Sequence, residues 1–150
     1  MKIVLQRVKE AAVSAGGEER AAIKRGFLLL VGIGREDTPG TVEEMARKIS
    51  RLRVFEDEQG KMNLDLGRVD GGVLSIPQFT LLGKTEKGNR PGFELAAVPA
   101  KAKPLWERFN DALRSAGIPV AEGEFGAHME VSLVNDGPVT FVLDSTVCGK

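Results

Sequence analysis

The first third of the chain places apolar residues in short runs bounded by glycine, a pattern of strands. Residues 2–8 and 11–14 read as two strands, Gly16-Gly17 as the turn that follows, and residues 20–23 as a third strand, so an antiparallel meander is expected. Residues 27–33 are apolar almost without interruption between Gly26 and Gly34. That run is too short for a helix and predicts a strand buried on both faces, central in its sheet.

The period then changes. Val42, Met45, Ala46, Ile49 and Leu52 recur at helical spacing, with Glu43 and Glu44 expected in the first turn and Arg47, Lys48 and Arg51 later, where each charge suits the helix dipole. A second amphipathic helix is predicted over residues 101–116. Its stripe is Leu105, Phe109, Ala112, Leu113 and Ala116, with Pro104 suited to the first turn, Gly117 to the C-terminal cap, and Trp106 beside the stripe as core or interface packing. Residues 73–82 read as a strand interrupted by Pro77, which lacks an N–H and belongs at an edge or bulge. Met129, Val131 and Leu133 alternate with polar residues, and so do Val139, Phe141 and Leu143 apart from Val142. Two half-buried strands joined through Asn135-Asp136-Gly137-Pro138 are predicted. Because strands and helices do not alternate regularly, the expected class is α+β: mainly antiparallel sheets forming a barrel-like core with two amphipathic helices packed on it.

With 150 residues, 42% hydrophobic and 28% charged, the chain is long enough to bury roughly 70% of its unfolded surface, and a single domain over residues 1–150 is expected. No apolar run approaches the roughly 20 residues of a membrane span, and the apolar start is too short for a signal-peptide core, so a cytoplasmic protein is expected. The one cysteine, Cys148, allows neither an internal disulfide nor a thiolate metal cluster. Lys plus Arg and Asp plus Glu both total 21, which opposes coating of nucleic acid by bulk charge. Any RNA contact must be local, and Lys84, Lys87 and Arg90, flanking a Gly-Asn turn, are the basic candidates; a solvated loop explains them equally well.

Familiar catalytic signatures are missing. The sequence has no phosphate-binding glycine loop, no Gly-x-Ser-x-Gly elbow and no His-Glu-x-x-His motif. Its single histidine, His128, reads as a surface residue and cannot supply a usual imidazole metal set, so neither metal nor cofactor is expected. Two stretches stand out. Gly137-Pro138 combines free backbone angles with a lowered cost of a cis peptide, although an ordinary type I or II turn is the default. Gln78 and Thr80 flank Phe79 on the proline-broken strand, where packing and surface polarity are the default.

The chain resembles D-aminoacyl-tRNA deacylases over nearly its whole length. The likeness is carried by Gln6-Arg7-Val8, Gly60-Lys61-Met62-Asn63, Pro77-Gln78-Phe79-Thr80, Arg90-Pro91-Gly92-Phe93 and the stretch from Gly126 to Thr140, including Met129-Glu130-Val131-Ser132-Leu133-Val134 and Asn135-Asp136-Gly137-Pro138-Val139-Thr140. The resemblance implies hydrolysis of the ester of D-aminoacyl-tRNA, with some activity on glycyl-tRNA. It also implies a homodimer with active sites at the subunit interface, each receiving the partner's cis Gly137-Pro138. The carbonyls of that motif are then expected to read the substrate amino group and to exclude an L side chain. Phe79 N–H is expected to bind the ester carbonyl, Gln78 and Thr80 to line the pocket, Arg7 to brace the Gly-Pro motif, and Met129 to pack beside it. The substrate's own 2′-hydroxyl is expected to assist hydrolysis, with Thr80 as a covalent nucleophile the competing mechanism. Three positions depart from the family's habit. Pro77 stands for a usual serine, which puts pocket hydrogen bonding in doubt, while Gly92 replaces a common serine and His128 a common aspartate. An editing deacylase of the same fold for an L- or achiral aminoacyl group and a non-catalytic tRNA-binding module are the alternatives.

Overall fold

The computed structural model describes residues 1–148. Strand β1 (Lys2–Ala15) is one continuous element where two strands were expected, and β2 (Glu18–Ile23) returns beside its second half through the Gly16-Gly17 turn. Strand β3 (Gly26–Gly32) pairs with the first half of β1 on one side and with β6 (Gly72–Pro77) on the other. The unbroken apolar run is therefore central, as its composition predicts. Beyond β6 lies β7 (Val120–Glu122), and the long β8 (Glu130–Asp144) runs antiparallel along the opposite edge of β1. The sheet curls into a nearly closed barrel. Its pairings are mainly antiparallel, with β3–β6 and β6–β7 parallel, and a small β4 (Phe55–Glu56) and β5 (Met62–Leu64) ribbon stands apart.

Two apolar clusters explain the curl. Ile3 and Leu5 face the cluster shared with the helices, whereas Val8, Ala11 and Val13 face a second cluster with Leu28, Leu74 and Ile76. Side chains on a regular strand keep to one face every second residue, so the change between Leu5 and Val8 requires both faces to be apolar, and the odd step from Val8 to Ala11 requires an irregularity. Register shifts occur there, between Gln6 and Val8 and between Val8 and Glu10, where β1 meets β8. Bulges of this kind bend a strand and raise its twist. Segment 135–138 is accordingly an irregularity within one strand, not the turn of a hairpin: both halves of β8 pair with β1 in the same direction.

Helix α1 (Pro39–Ser50) begins at Thr38, whose hydroxyl accepts from Thr41 N–H in a capping box, with Pro39 in the first turn. The start lies three residues before the apolar stripe, so Glu43 and Glu44 fall in the second turn and no acid occupies the first. Helix α2 (Pro99–Ser115) likewise starts earlier than predicted, with Pro99 opening it and Pro104 inside. Gly117, at φ +84°, ends it as expected, its N–H bonded to Arg114 O while Ile118 N–H reaches Leu113 O. The helices pack together and onto the sheet through Val42, Met45, Ile49, Leu105, Trp106, Phe109 and Leu113. Phe109 is fully buried, and its truncation to alanine costs about 3–5 kcal/mol by lost burial and cavity formation. Among the described residues no helix is long and apolar enough to cross a membrane.

Candidate active site

Strand β6 delivers the first motif. Its interior position leaves it two neighbours, but β7 accompanies it only from Val73 to Ser75. Ser75 O accepts from Gly123 N–H on the β7 side and Gln78 N–H reaches Val31 O on the β3 side, at 2.9 and 2.8 Å. Backbone groups alternate in direction along a strand, so position 77 faces the β7 side, past the end of that strand. Proline's missing N–H therefore breaks no ladder bond. The expected continuous strand over residues 73–82 stops at Pro77, and Phe79–Leu82 turn into a 3₁₀ helix.

That turn opens onto a cleft of ≈ 620 Å³. Pro77, Gln78 and Phe79 form one wall, Val31 and Ile33 come from the end of β3, Ala102 and Trp106 from α2, and Phe125 to Met129 from the segment before β8. Trp106 Nε1 donates to Ser75 Oγ at 2.9 Å, both residues buried, and its ring lies 5.9 Å from that of Phe125. A satisfied indole and a buried hydroxyl thus anchor an apolar wall. Phe79 is 57% exposed and meets Phe93 edge-on at 5.0 Å. At the open end of the 3₁₀ turn, the N–H groups of Phe79 and Thr80 find no acceptor among the described residues. Free amides at a helix start are hydrogen-bond donors awaiting an acceptor.

Met129 belongs to this cleft. Its Sδ accepts from Glu124 N–H at 3.3 Å and packs over Gly123, where a Cβ would lie 2.9 Å from the sulfur and 3.0 Å from Ile76 Cδ1. A side chain at position 123 would push the methionine sulfur aside. The expected packing of Met129 beside Gly137-Pro138 is not found within one chain, because Met129 and Gly137 lie eight positions apart along the extended chain that forms β8, roughly 25 Å. His128, expected merely at the surface, is exposed but lines the same cleft.

The second motif sits elsewhere. The Gly137–Pro138 peptide is cis, so the default trans turn does not describe it. Gly137 has φ +149°, and a Cβ there would lie 2.6 Å from Val139 Cγ2. Arg7, only 4% exposed, donates from Nε to Asp136 O at 2.9 Å and from Nη1 to Val54 O at 2.7 Å. Asp136 and Glu56 carboxylates at 3.7 and 3.9 Å balance its charge. One chain therefore brings Pro77, Gln78, Phe79 and Met129 to a single cleft, with Thr80 tied to it through Gln78, while Arg7, Gly137 and Pro138 lie outside.

Lys84, Lys87 and Arg90 line a separate depression with Glu86 and Glu94. The loop is closed by paired backbone bonds between Lys84 and Gly92, and Lys84 Nζ lies 3.1 Å from Glu94. Glu94's own backbone N–H and then the Lys84 ammonium hold its carboxyl below the usual carboxylate range. Sequence reasoning gave no role to Asn135, Ser75 or Gly123. Asparagine beside a Gly-Pro pair was the available signal for the first; the others depend on contacts across strands.

The fold and cleft define a class. A solved structure described as "c-Myc DNA Unwinding Element Binding Protein" superposes with a TM-score of 0.89 at 43% identity, covering 96% of this chain and 98% of that one. Another, described as "a probable eukaryotic D-amino acid tRNA deacylase", shares the fold with a TM-score of 0.79 at 17% identity over 95% of this chain and 97% of that one. The architecture is thus that of the D-aminoacyl-tRNA deacylase fold. Residues 4–144 match the family model described as D-Tyr-tRNA(Tyr) deacylase, and a D-aminoacyl-tRNA deacylase of Thermus aquaticus is 56% identical over 146 residues, 97% of this chain and 96% of the relative. The chain belongs to the D-Tyr-tRNA(Tyr) deacylase family.

Proposed function

We propose that this protein hydrolyses the ester joining a D-aminoacyl group to the terminal adenosine of tRNA, releasing the free D-amino acid and tRNA. Family membership supports the reaction. The observation that carries the site is the Phe79 amide, unbonded among the described residues, on a residue that lines an apolar cleft beside Gln78. An ester carbonyl seated on the Phe79 N–H gains stabilisation as negative charge develops on its oxygen.

The site is completed by a second copy of the chain, whose Gly137-Pro138 enters the cleft beside Met129. This reading is supported by the separation of the two motifs within one chain and by β8, whose outer edge has no strand partner among the described residues while Val134, Phe141 and Val142 are exposed. Carbonyl groups brought in this way accept from the substrate's amino group and occupy the space of an L side chain. Exclusion of one mirror form discriminates where uniform attraction does not. Glycine has no side chain to exclude, so glycyl-tRNA is also a substrate. The 2′-hydroxyl of the terminal ribose assists the attack on the ester, and the enzyme works in the cytoplasm as a homodimer.

Hydrolysis of matched D- and L-tyrosyl-tRNA tests the reading. The D ester is expected to be cleaved at least about a hundredfold faster, and comparable rates would overturn chiral selection in favour of an achiral or L-directed editing role. Binding without turnover of either would favour a tRNA-binding module.

A further inference from the structure

We propose that Asn135, acting with Thr140 and Gln6, is the positioning unit that aims the Gly137 and Pro138 carbonyls and thereby sets the D-over-L preference. The inference rests on the chiral role given above to that motif.

Strand pairing leaves the motif unsupported. Val8 pairs with Asn135 and Gln6 with Thr140, so the four residues 136–139 of β8 stand opposite Arg7 alone. Pro138 has no N–H, and Gly137 is the residue type least restricted in its backbone angles. A carbonyl that must exclude one enantiomer needs a fixed direction, and the β-ladder does not provide it here.

Asn135 supplies what the ladder lacks. Its Oδ1 accepts from Val139 N–H at 2.8 Å and its Nδ2 donates to Val139 O at 3.2 Å. The side-chain amide thus pairs with both backbone groups of Val139, as a neighbouring strand's peptide group would, and closes a ring around Asp136, Gly137 and Pro138. The same Nδ2 donates to Thr140 Oγ1 at 3.1 Å, and Gln6 Nε2 donates to that oxygen at 3.3 Å. Gln6 and Arg7 are consecutive on β1 and point to opposite faces. One holds the far end of the irregular segment through Thr140, the other its near end through Asp136 O at 2.9 Å. Both flanks are pinned, while Gly137 and Pro138 stay outside the ladder.

The test is the ratio of kcat/KM for D- over L-tyrosyl-tRNA in the full-length protein. Asn135→Asp keeps an oxygen for Val139 N–H but cannot donate to Val139 O or Thr140, and Thr140→Val removes the shared hydroxyl without changing shape. Each is expected to lower the ratio at least about tenfold, largely through faster L hydrolysis, the scale of one or two lost steric or hydrogen-bond contacts. Thr140→Ser is expected to restore it. A purely structural role would lower both rates or the yield of folded protein together and leave the ratio unchanged. An unchanged ratio in folded Asn135→Asp and Thr140→Val would overturn the proposal while the chiral reading stands. Absence of any preference in the unaltered protein would overturn that reading and this inference with it.

Discussion

Gln78 donates its side-chain amide to the hydroxyl oxygen of Thr80 at 2.5 Å, and among the described residues no carboxylate or imidazole is bonded to that hydroxyl. An amide donor does not accept a proton, so Thr80 has a partner but no activating base. Thr80→Ser is therefore expected to keep kcat within about threefold and Thr80→Ala to lower it about ten- to a hundredfold, the scale of one hydrogen-bonded contact. A tRNA ending in 2′-deoxyadenosine, acylated on the 3′-oxygen, is expected to lose at least about a hundredfold. Single-turnover kinetics separates the two: an acyl-enzyme burst, with full activity on the deoxy substrate, would establish Thr80 as nucleophile.

The proposed division of the site between two copies is checked by mixing. Gln78→Ala with Phe79→Pro inactivates one parent through the cleft, and Gly137→Val inactivates the other. Random exchange of their subunits is expected to restore about a quarter of the sites, since one of the two sites in each mixed dimer is intact. No recovery after verified exchange would mean that each chain carries a complete site.

Arg7→Met removes one buried and one partly buried hydrogen bond, leaving Val54 O and Asp136 O without their donor. Destabilisation of about 3 kcal/mol is expected in urea unfolding, because unsatisfied buried carbonyls cost more than the original bonds contribute. Arg7→Lys, which cannot reach both carbonyls with a planar fork, should recover less than half of that loss.

Lys87→Ala and Arg90→Ala are expected to raise KM about threefold each at low salt, with kcat unchanged, as phosphate contacts do. Lys84→Ala should have the smallest effect of the three, because Glu94 already neutralises Lys84. The salt dependence of KM measures this directly, and a slope unchanged from that of the unaltered protein in all three variants would remove the loop from the RNA interface.

Much of the fold was legible wherever a local rule sufficed. The apolar run of β3 declared a central strand, and the stripes of α1 and α2 declared helices; their first turns were misplaced, because Thr38-Pro39 and Pro99 begin each helix ahead of its buried face, and Leu52 falls just past the end of α1. The hairpin expected at residues 135–138 failed for a nonlocal reason. A Gly-Pro pair between two alternating segments is the local mark of a turn, and pairing of both halves with the same edge of β1 has no signature in the segment itself.

The sequence by itself determined the α+β class, the absence of the usual catalytic motifs and the resemblance carried by Gln78, Phe79, Gly137 and Pro138. Those follow from residue identity and short spacing. Tertiary structure alone decided that Phe79, its amide unbonded among the described residues, lines a cleft walled by Trp106 and Met129, that Gly137-Pro138 lies outside it, and that Asn135 clasps Val139. Each depends on which groups remain without a partner after the strands have paired, and that is settled by the register of distant segments.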